Sequence, residues 1–175
     1  RFPVSDTVPE KFVKCITTFE DRRFFMHFGV DPVAMARAMK QNISAKSVVS
    51  GGSTLTMQVI RLSRKQDRTI WQKITEMFLA TRLELTYAKR DILALYAANA
   101  PFGSNVVGLE AASWRYFGRK PENLSWGEMA TLAVLPNSPS LVHPGKNAAK
   151  LIKKRNDLLD QLVTQNIIDR ATADL

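Results

Sequence analysis

The sequence predicts a mainly α-helical domain, and three observations predict it. Apolar residues recur at three-to-four spacing in nearly every segment, no useful stretch alternates apolar with polar, and helix-starting and helix-stopping residues punctuate the chain. At 175 residues the chain can bury one sizeable core but not two independent ones. No repeat or low-complexity tract interrupts it.

Pro9 suits a helix start, and Phe12, Ile16, Phe19 and Arg23 follow on one stripe. That period puts Glu20 one turn beyond Ile16, near the helix end, where a side chain can face a cleft. Gly29 breaks the pattern. Asp31-Pro32 then supplies an N-cap and a first-turn proline for a helix through Met35 and Met39. Residues 47–53 read as a loop, in which Gly51-Gly52 permits positive φ and close backbone approach. Helix resumes over 54–62 with Leu55, Val59 and Leu62 on one stripe, and a polar linker over 63–67 follows. A long helix over about 69–86 carries Ile70, Ile74, Met77, Phe78, Thr81 and Leu85, the pattern of a core helix. On it Lys73 and Glu76 are neighbours, as are Gln72 and Glu76.

Residues 89–100 form a further amphipathic helix with Ile92, Leu93 and Tyr96, stopped by Pro101 and Gly103. Another spans 109–117 and is closed by Gly118 at C′. Ser125-Trp126-Gly127-Glu128 is a capping box ahead of 129–135. Pro136, Pro139 and Pro144 stiffen the next loop, and Leu151, Leu158, Leu159 and Leu162 mark the last long helix over about 148–165.

The formal charge is +9, with a pI near 9.9, which suits an anionic partner such as nucleic acid, anionic lipid or a phosphorylated substrate. The cations cluster. Arg61, Arg64, Lys65, Arg68 and Lys73 crowd one segment, and Lys146, Lys150, Lys153, Lys154 and Arg155 another, the second reading as a solvated helix face. The single Cys15 excludes an internal disulfide and lies in an apolar pattern, as a small buried thiol would. No run approaches the roughly 20 apolar residues of a membrane span. The chain opens on Arg1 rather than Met, so it is expected to be a domain of a longer chain, whose membrane anchor, if it has one, lies elsewhere.

Zinc-type ligand spacing, a Gly-Lys-Ser/Thr phosphate loop and a nucleophile elbow are all missing, and the two histidines are His27 and His143. What remains is carboxylates, cations and a glycine-hydroxyl loop. Those three suit transfer of a sugar from a phosphate leaving group. Such a transfer needs a carboxylate to deprotonate the attacking hydroxyl. It also needs cations and N–H groups where charge grows on the departing phosphate. Glu20 is the candidate base. Ser53, Thr54, Gln58, Arg61, Arg68 and Lys73 are candidates to grip phosphate, and Glu76 to orient cations or a metal ion. Two rival readings are a lytic glycosidase using Glu20 as acid and a non-catalytic basic module for nucleic acid or membrane. The first has no use for the cationic segment, and the second leaves the glycine-hydroxyl loop unexplained.

Glu20-Asp21-Arg22-Arg23-Phe24 with His27 and Gly29 resembles the first motif of the peptidoglycan glycosyltransferases, glycosyltransferase family 51. Gly51-Gly52-Ser53-Thr54 followed by Leu55-Thr56-Met57-Gln58 is similar to the second. Lys73-Ile74-Thr75-Glu76 is similar to the third, and Lys89-Arg90-Asp91-Ile92-Leu93 with Tyr96 to the fourth. The stretch from Gly108 to Gly118 and the Pro136 loop resemble the rest of the family's frame. The match runs in order over residues 10–165. Ala100-Pro101-Phe102-Gly103 and Thr56-Met57-Gln58 look most like the penicillin-binding protein 1C subgroup.

The resemblance implies a lysozyme-like helical head with a small membrane-facing jaw near residues 24–50. It implies polymerisation of lipid II into β-1,4 glycan strands on the outer, periplasmic face of the bacterial cytoplasmic membrane. Glu20 would deprotonate the acceptor 4-hydroxyl, and Glu76 would assist at the pyrophosphate end. Asp21, His27, Gly51, Gly52, Ser53, Thr54, Gln58, Arg61, Arg68 and Lys73 would contact substrate. No cofactor is required by this reading, though a magnesium ion at Glu76 is compatible with it. The implied partners are lipid II, the growing strand, the lipid surface and other cell-wall synthesis proteins, not nucleic acid. Gln72 stands where the family usually has arginine, Ala98 where asparagine is common, Ala88 for a usual serine and Met57 for a glutamine.

Overall fold

The computed structural model describes residues 7–47, 51–64, 69–103, 105–137 and 147–174. Among them nine α-helices occur and no sheet, only isolated bridges between Phe28 and Val30 and between Pro101 and Val107. The helices are α1 Glu10–Glu20, α2 Pro32–Ala45, α3 Leu55–Arg64, α4 Ile70–Thr86, α5 Lys89–Asn99, α6 Leu109–Phe117, α7 Trp126–Val134, α8 Ala148–Thr164 and α9 Arg170–Ala173. The chain divides into two compact units, one of Arg1–Arg22 with Leu93–Leu175 and one of Arg23–Ile92. No helix among the described residues is long and apolar enough to cross a membrane.

The first unit is built on α7, which packs against α1, α6, α8 and α9. Met129, Ala130, Leu132, Ala133 and Val134 are all buried, as expected of a helix that is apolar on most of its circumference. Phe12, Cys15 and Ile16 of α1 and Leu151, Leu158, Leu159 and Leu162 of α8 complete the core. Ser125 caps α7 through the expected box, its hydroxyl accepting from the Glu128 N–H while Glu128 accepts from the Ser125 N–H. Burial pushes the Cys15 thiol up to about 12, so it is a packing group. Gly118 ends α6 with φ +67, the left-handed conformation a C′ glycine supplies.

The second unit begins with a 3₁₀ turn, Phe24–Met26, because α1 stops at Glu20 and does not reach Arg23. Asp31 caps α2 by accepting from the N–H groups of Val33 and Ala34. Gly29 has φ +83, and a Cβ there would lie 2.5 Å from the carbonyl carbon of Ala80, so only glycine lets this turn lie against α4.

Of the two uses expected of Gly51-Gly52, close backbone approach is realised at Gly52, where a Cβ would stand 2.9 Å from the Met35 Cα, and neither glycine takes positive φ. One expectation fails: α4 is not a core helix. Trp71 is 79% exposed, Phe78 69% and Leu85 77%, Ile74 is exposed too, and among the residues of this helix whose burial is described Ala80 is the buried apolar one. Periodicity shows which residues share a face, but not what that face meets.

Candidate active site

Each unit carries its own group of candidate residues. In the first unit, Glu20 is the final residue of α1, so its side chain leaves the helix where no further turn covers it. It is half-buried, and its Oε1 atom is shielded from solvent. Asp21 follows at the C-cap, donating its N–H to the Thr17 carbonyl at 3.0 Å, and is buried. Arg22 reaches away, donating to the Thr18 carbonyl and to Gln161 Oε1.

Two further groups feel the Glu20 charge. Tyr96 is 1% exposed, and its hydroxyl has no hydrogen-bond partner among the described residues. Burial first, and the Glu20 carboxylate second, push its pKa well above the ordinary value. Lys154 of α8 is half-buried, with its ammonium 2.8 Å from Asn137 Oδ1 and 5.9 Å from the centre of the Phe19 ring. Burial and then Lys150 lower its pKa, and the Glu20 charge partly restores it. Lys154 therefore does not belong to a solvated face with Lys153, which pairs with Asp157. The signal was present: Lys154 lies three residues after Leu151 and four before Leu158, on their buried stripe.

In the second unit, the Gly51–Thr54 loop leads into α3. Thr54 is buried, donating to the Gly29 carbonyl at 2.6 Å and accepting from the Met57 N–H at 3.2 Å. Its hydroxyl thus holds the loop to the turn after α1. Ser53 is half-exposed, with its Oγ accepting from Arg61 Nη2 at 3.4 Å. Arg61 forms a two-point pair with Glu76, Nε to Oε1 at 2.9 Å and Nη2 to Oε2 at 2.7 Å. Such fork-to-carboxylate geometry fixes both side chains.

Glu76 is thus held across helices by Arg61, while Lys73 on its own helix is exposed. Arg61, Arg64, Gln72 and Glu76 line one small hollow. Gln72 has a second duty as the N3 residue of a capping box: it accepts from the Thr69 N–H and donates its own N–H to Thr69 Oγ1, each at 3.2 Å. Gln58 is half-buried in α3, and His27 is buried in the turn. Arg68 lies outside the described residues, as do Lys65, Pro139, His143, Pro144 and Lys146.

No group of three His, Cys, Asp or Glu side chains among the described residues could hold a metal ion. Both Glu76 oxygens already face a guanidinium. The described donors do not fit a resident cation.

The transglycosylase family matches residues 1–163. Penicillin-binding protein 1C of Escherichia coli is 42% identical over 97% of this chain and 22% of its own length. Penicillin-binding protein 1A of Aquifex aeolicus is 39% identical over 96% of this chain and 23% of its own. Penicillin-binding protein 1A of E. coli is 35% identical over 99% of this chain and 21% of its own. The crystal structure of penicillin-binding protein 1A from Haemophilus influenzae aligns at a TM-score of 0.47 and 22% identity, over 69% of this chain and 15% of that one. The chain spans about a fifth of the length of its curated relatives. On the family match and on relatives well above 30% identity along almost all its length, the chain belongs to the transglycosylase family, the glycosyltransferase domain of penicillin-binding enzymes.

Proposed function

We propose that this domain polymerises lipid II by inverting transfer, with Glu20 as general base. The observation that carries the reading is the setting of Glu20: a carboxylate at a helix end, half-buried, with a buried tyrosine and a lysine ammonium within its field. Its carboxylate accepts the proton of the acceptor's 4-hydroxyl, and the oxygen bonds to the anomeric carbon of the growing strand. The bond from that carbon to the diphosphate breaks, and its electron pair leaves with undecaprenyl pyrophosphate. Cations are the natural partners of that departing charge. Arg61, Lys73 and Arg68 are assigned to it, with Ser53 and Gln58 as hydrogen-bond partners. Glu76 orients Arg61 for this task. A divalent ion, where one takes part, would arrive with the diphosphate rather than reside on protein ligands.

The region near residues 24–50 is assigned as the membrane-facing jaw. Phe25, Met26, Phe28, Val33, Met39 and Ile43 are exposed there, whereas Phe24 is buried. A lipid-borne substrate at the outer face of the cytoplasmic membrane gives such a surface a use. The assigned partners are lipid II, the growing strand, the bilayer and cell-wall synthesis proteins.

The test is polymer formation from lipid II resolved on a gel. Glu20→Gln is expected to lower the rate by about 10² or more, the usual size of a general-base effect. An unchanged rate removes Glu20 from the role. Shortening of purified peptidoglycan strands by the wild-type chain would replace polymerisation with lysis.

A further inference from the structure

Lys89, the first residue of α5, gathers three groups around its ammonium. Glu84 Oε2 lies at 2.6 Å, the His27 carbonyl oxygen accepts from it at 2.7 Å, and the Phe24 ring centre is 4.3 Å away. The Glu84 side chain is only 2% exposed, and its other oxygen accepts from Thr56 Oγ1 at 2.5 Å. All five residues belong to the second unit.

Burying a carboxylate and an ammonium is a poor way to add stability, because their desolvation offsets most of their attraction. What the pair does supply is a fixed geometry. It joins the Phe24–His27 turn to the first turn of α3, and the Thr54 to Gly29 hydrogen bond ties the same two segments a second time. Those segments carry His27 on one side and Ser53 with Arg61 on the other.

We propose that Lys89 and Glu84 are positioning residues for the transfer reaction. They hold the His27 turn in register with the Gly51–Thr54 loop, so that Ser53 and Arg61 present their donors to the diphosphate in one arrangement. The inference rests on the lipid II reading and adds two residues to it that touch no substrate.

The test compares the full chain with Lys89→Met, Lys89→Arg and the double variant Lys89→Met/Glu84→Gln, measuring thermal midpoint together with kcat and KM on lipid II. Lys89→Met strands a buried carboxylate and is expected to lower both midpoint and kcat. The double variant buries no charge, and the amide placed at position 84 still accepts from Thr56, so its midpoint recovers. Its kcat is expected to stay about tenfold to a hundredfold down, the scale of a small misplacement of binding groups. Lys89→Arg keeps a cation and recovers part of that kcat. A double variant that regains both midpoint and kcat overturns the proposal.

Should neither methionine variant fold, Thr56→Val and Thr56→Ser decide. Only the serine variant should keep the wild-type kcat, and equal rates overturn the proposal. A wild-type chain that makes no polymer overturns the lipid II reading itself, an outcome separate from a wild-type chain that polymerises alongside a fully active double variant.

Discussion

The two units use apolar residues in opposite ways. In the first, the large apolar side chains of α1, α7 and α8 close on one another, and among its described residues the exposed large hydrophobics are scattered: Leu95, Val107, Trp114 and Ile152. In the second, Phe24, Leu55 and Met57 are buried, while Phe25, Met26, Phe28, Met39, Trp71, Ile74, Phe78 and Leu85 face outward. Scattered exposed hydrophobics need no explanation, whereas this density does. One unit closes most of its large apolar side chains inside. The other buries a smaller set, fixes its segments against one another through the Asp31 cap, the Thr54 to Gly29 bond and the Lys89–Glu84–Thr56 chain, and leaves many large apolar side chains exposed.

Paired truncations break or sharpen that contrast most directly. Phe12→Ala, in the closed core, is expected to cost about 3–5 kcal/mol of unfolding free energy. Phe78→Ala, a truncation of the same size on exposed α4, should stay within about 0.5 kcal/mol, as surface changes usually do. Denaturant titration of both variants reads the difference, and equal costs would show that α4 is covered. Phe28→Ser should leave the unfolding midpoint in place yet weaken binding to anionic vesicles about tenfold, given the burial value of one phenylalanine. Vesicle sedimentation checks it, and unchanged binding would take Phe28 out of the membrane-facing surface.

The same contrast explains what could be read from the residues alone. Caps and stripes within single helices were legible because they are local: Asp31-Pro32, Ser125 to Glu128, Gly118, and the leucines of α8 all do what their spacing says. Facts requiring knowledge of what lies opposite were not. The α4 stripe looks like a core stripe because period reports a face and is silent about its neighbour. Gly51-Gly52 offers either positive φ or close approach, and only the fold shows that at Gly52 the demand is room for Met35. Gln72 read as a lost arginine, and it is also a capping residue for α4. Lys154 could be told from its basic run only by its place on the stripe of Leu151 and Leu158, whereas the Arg61 to Glu76 pair joins two helices whose spacing in sequence says nothing of their contact.

A smaller effect tests the polar side of Glu20's surroundings. The Tyr96 hydroxyl is buried without a hydrogen-bond partner among the described residues, which costs free energy that a ring without it would not incur. Tyr96→Phe should therefore leave stability unchanged or raise it by about 1 kcal/mol. A loss of that size in denaturant titration would mean that the hydroxyl is satisfied in the folded protein.

The smallest expected effect lies in the closed unit, at Glu128. Burial raises its pKa, but the Ser125 N–H, the Arg119 guanidinium and the Ser125 hydroxyl outweigh burial and hold the carboxyl below its ordinary value of 4.5. A carboxyl whose folded pKa is depressed binds fewer protons folded than unfolded. Its contribution is fully present above pH 4.5 and fades as pH falls through the lower folded value. Glu128→Gln keeps an acceptor for the Ser125 N–H, since glutamine serves at this position of a capping box, but cannot titrate. The stability gap between wild type and Glu128→Gln should thus be constant from neutral pH to about 5.5 and shrink as acid is added below that. Midpoints of denaturation across this range measure the gap. A gap that widens in acid would reverse the sign of the shift, and with it the claim that hydrogen bonding rather than burial governs this helix start.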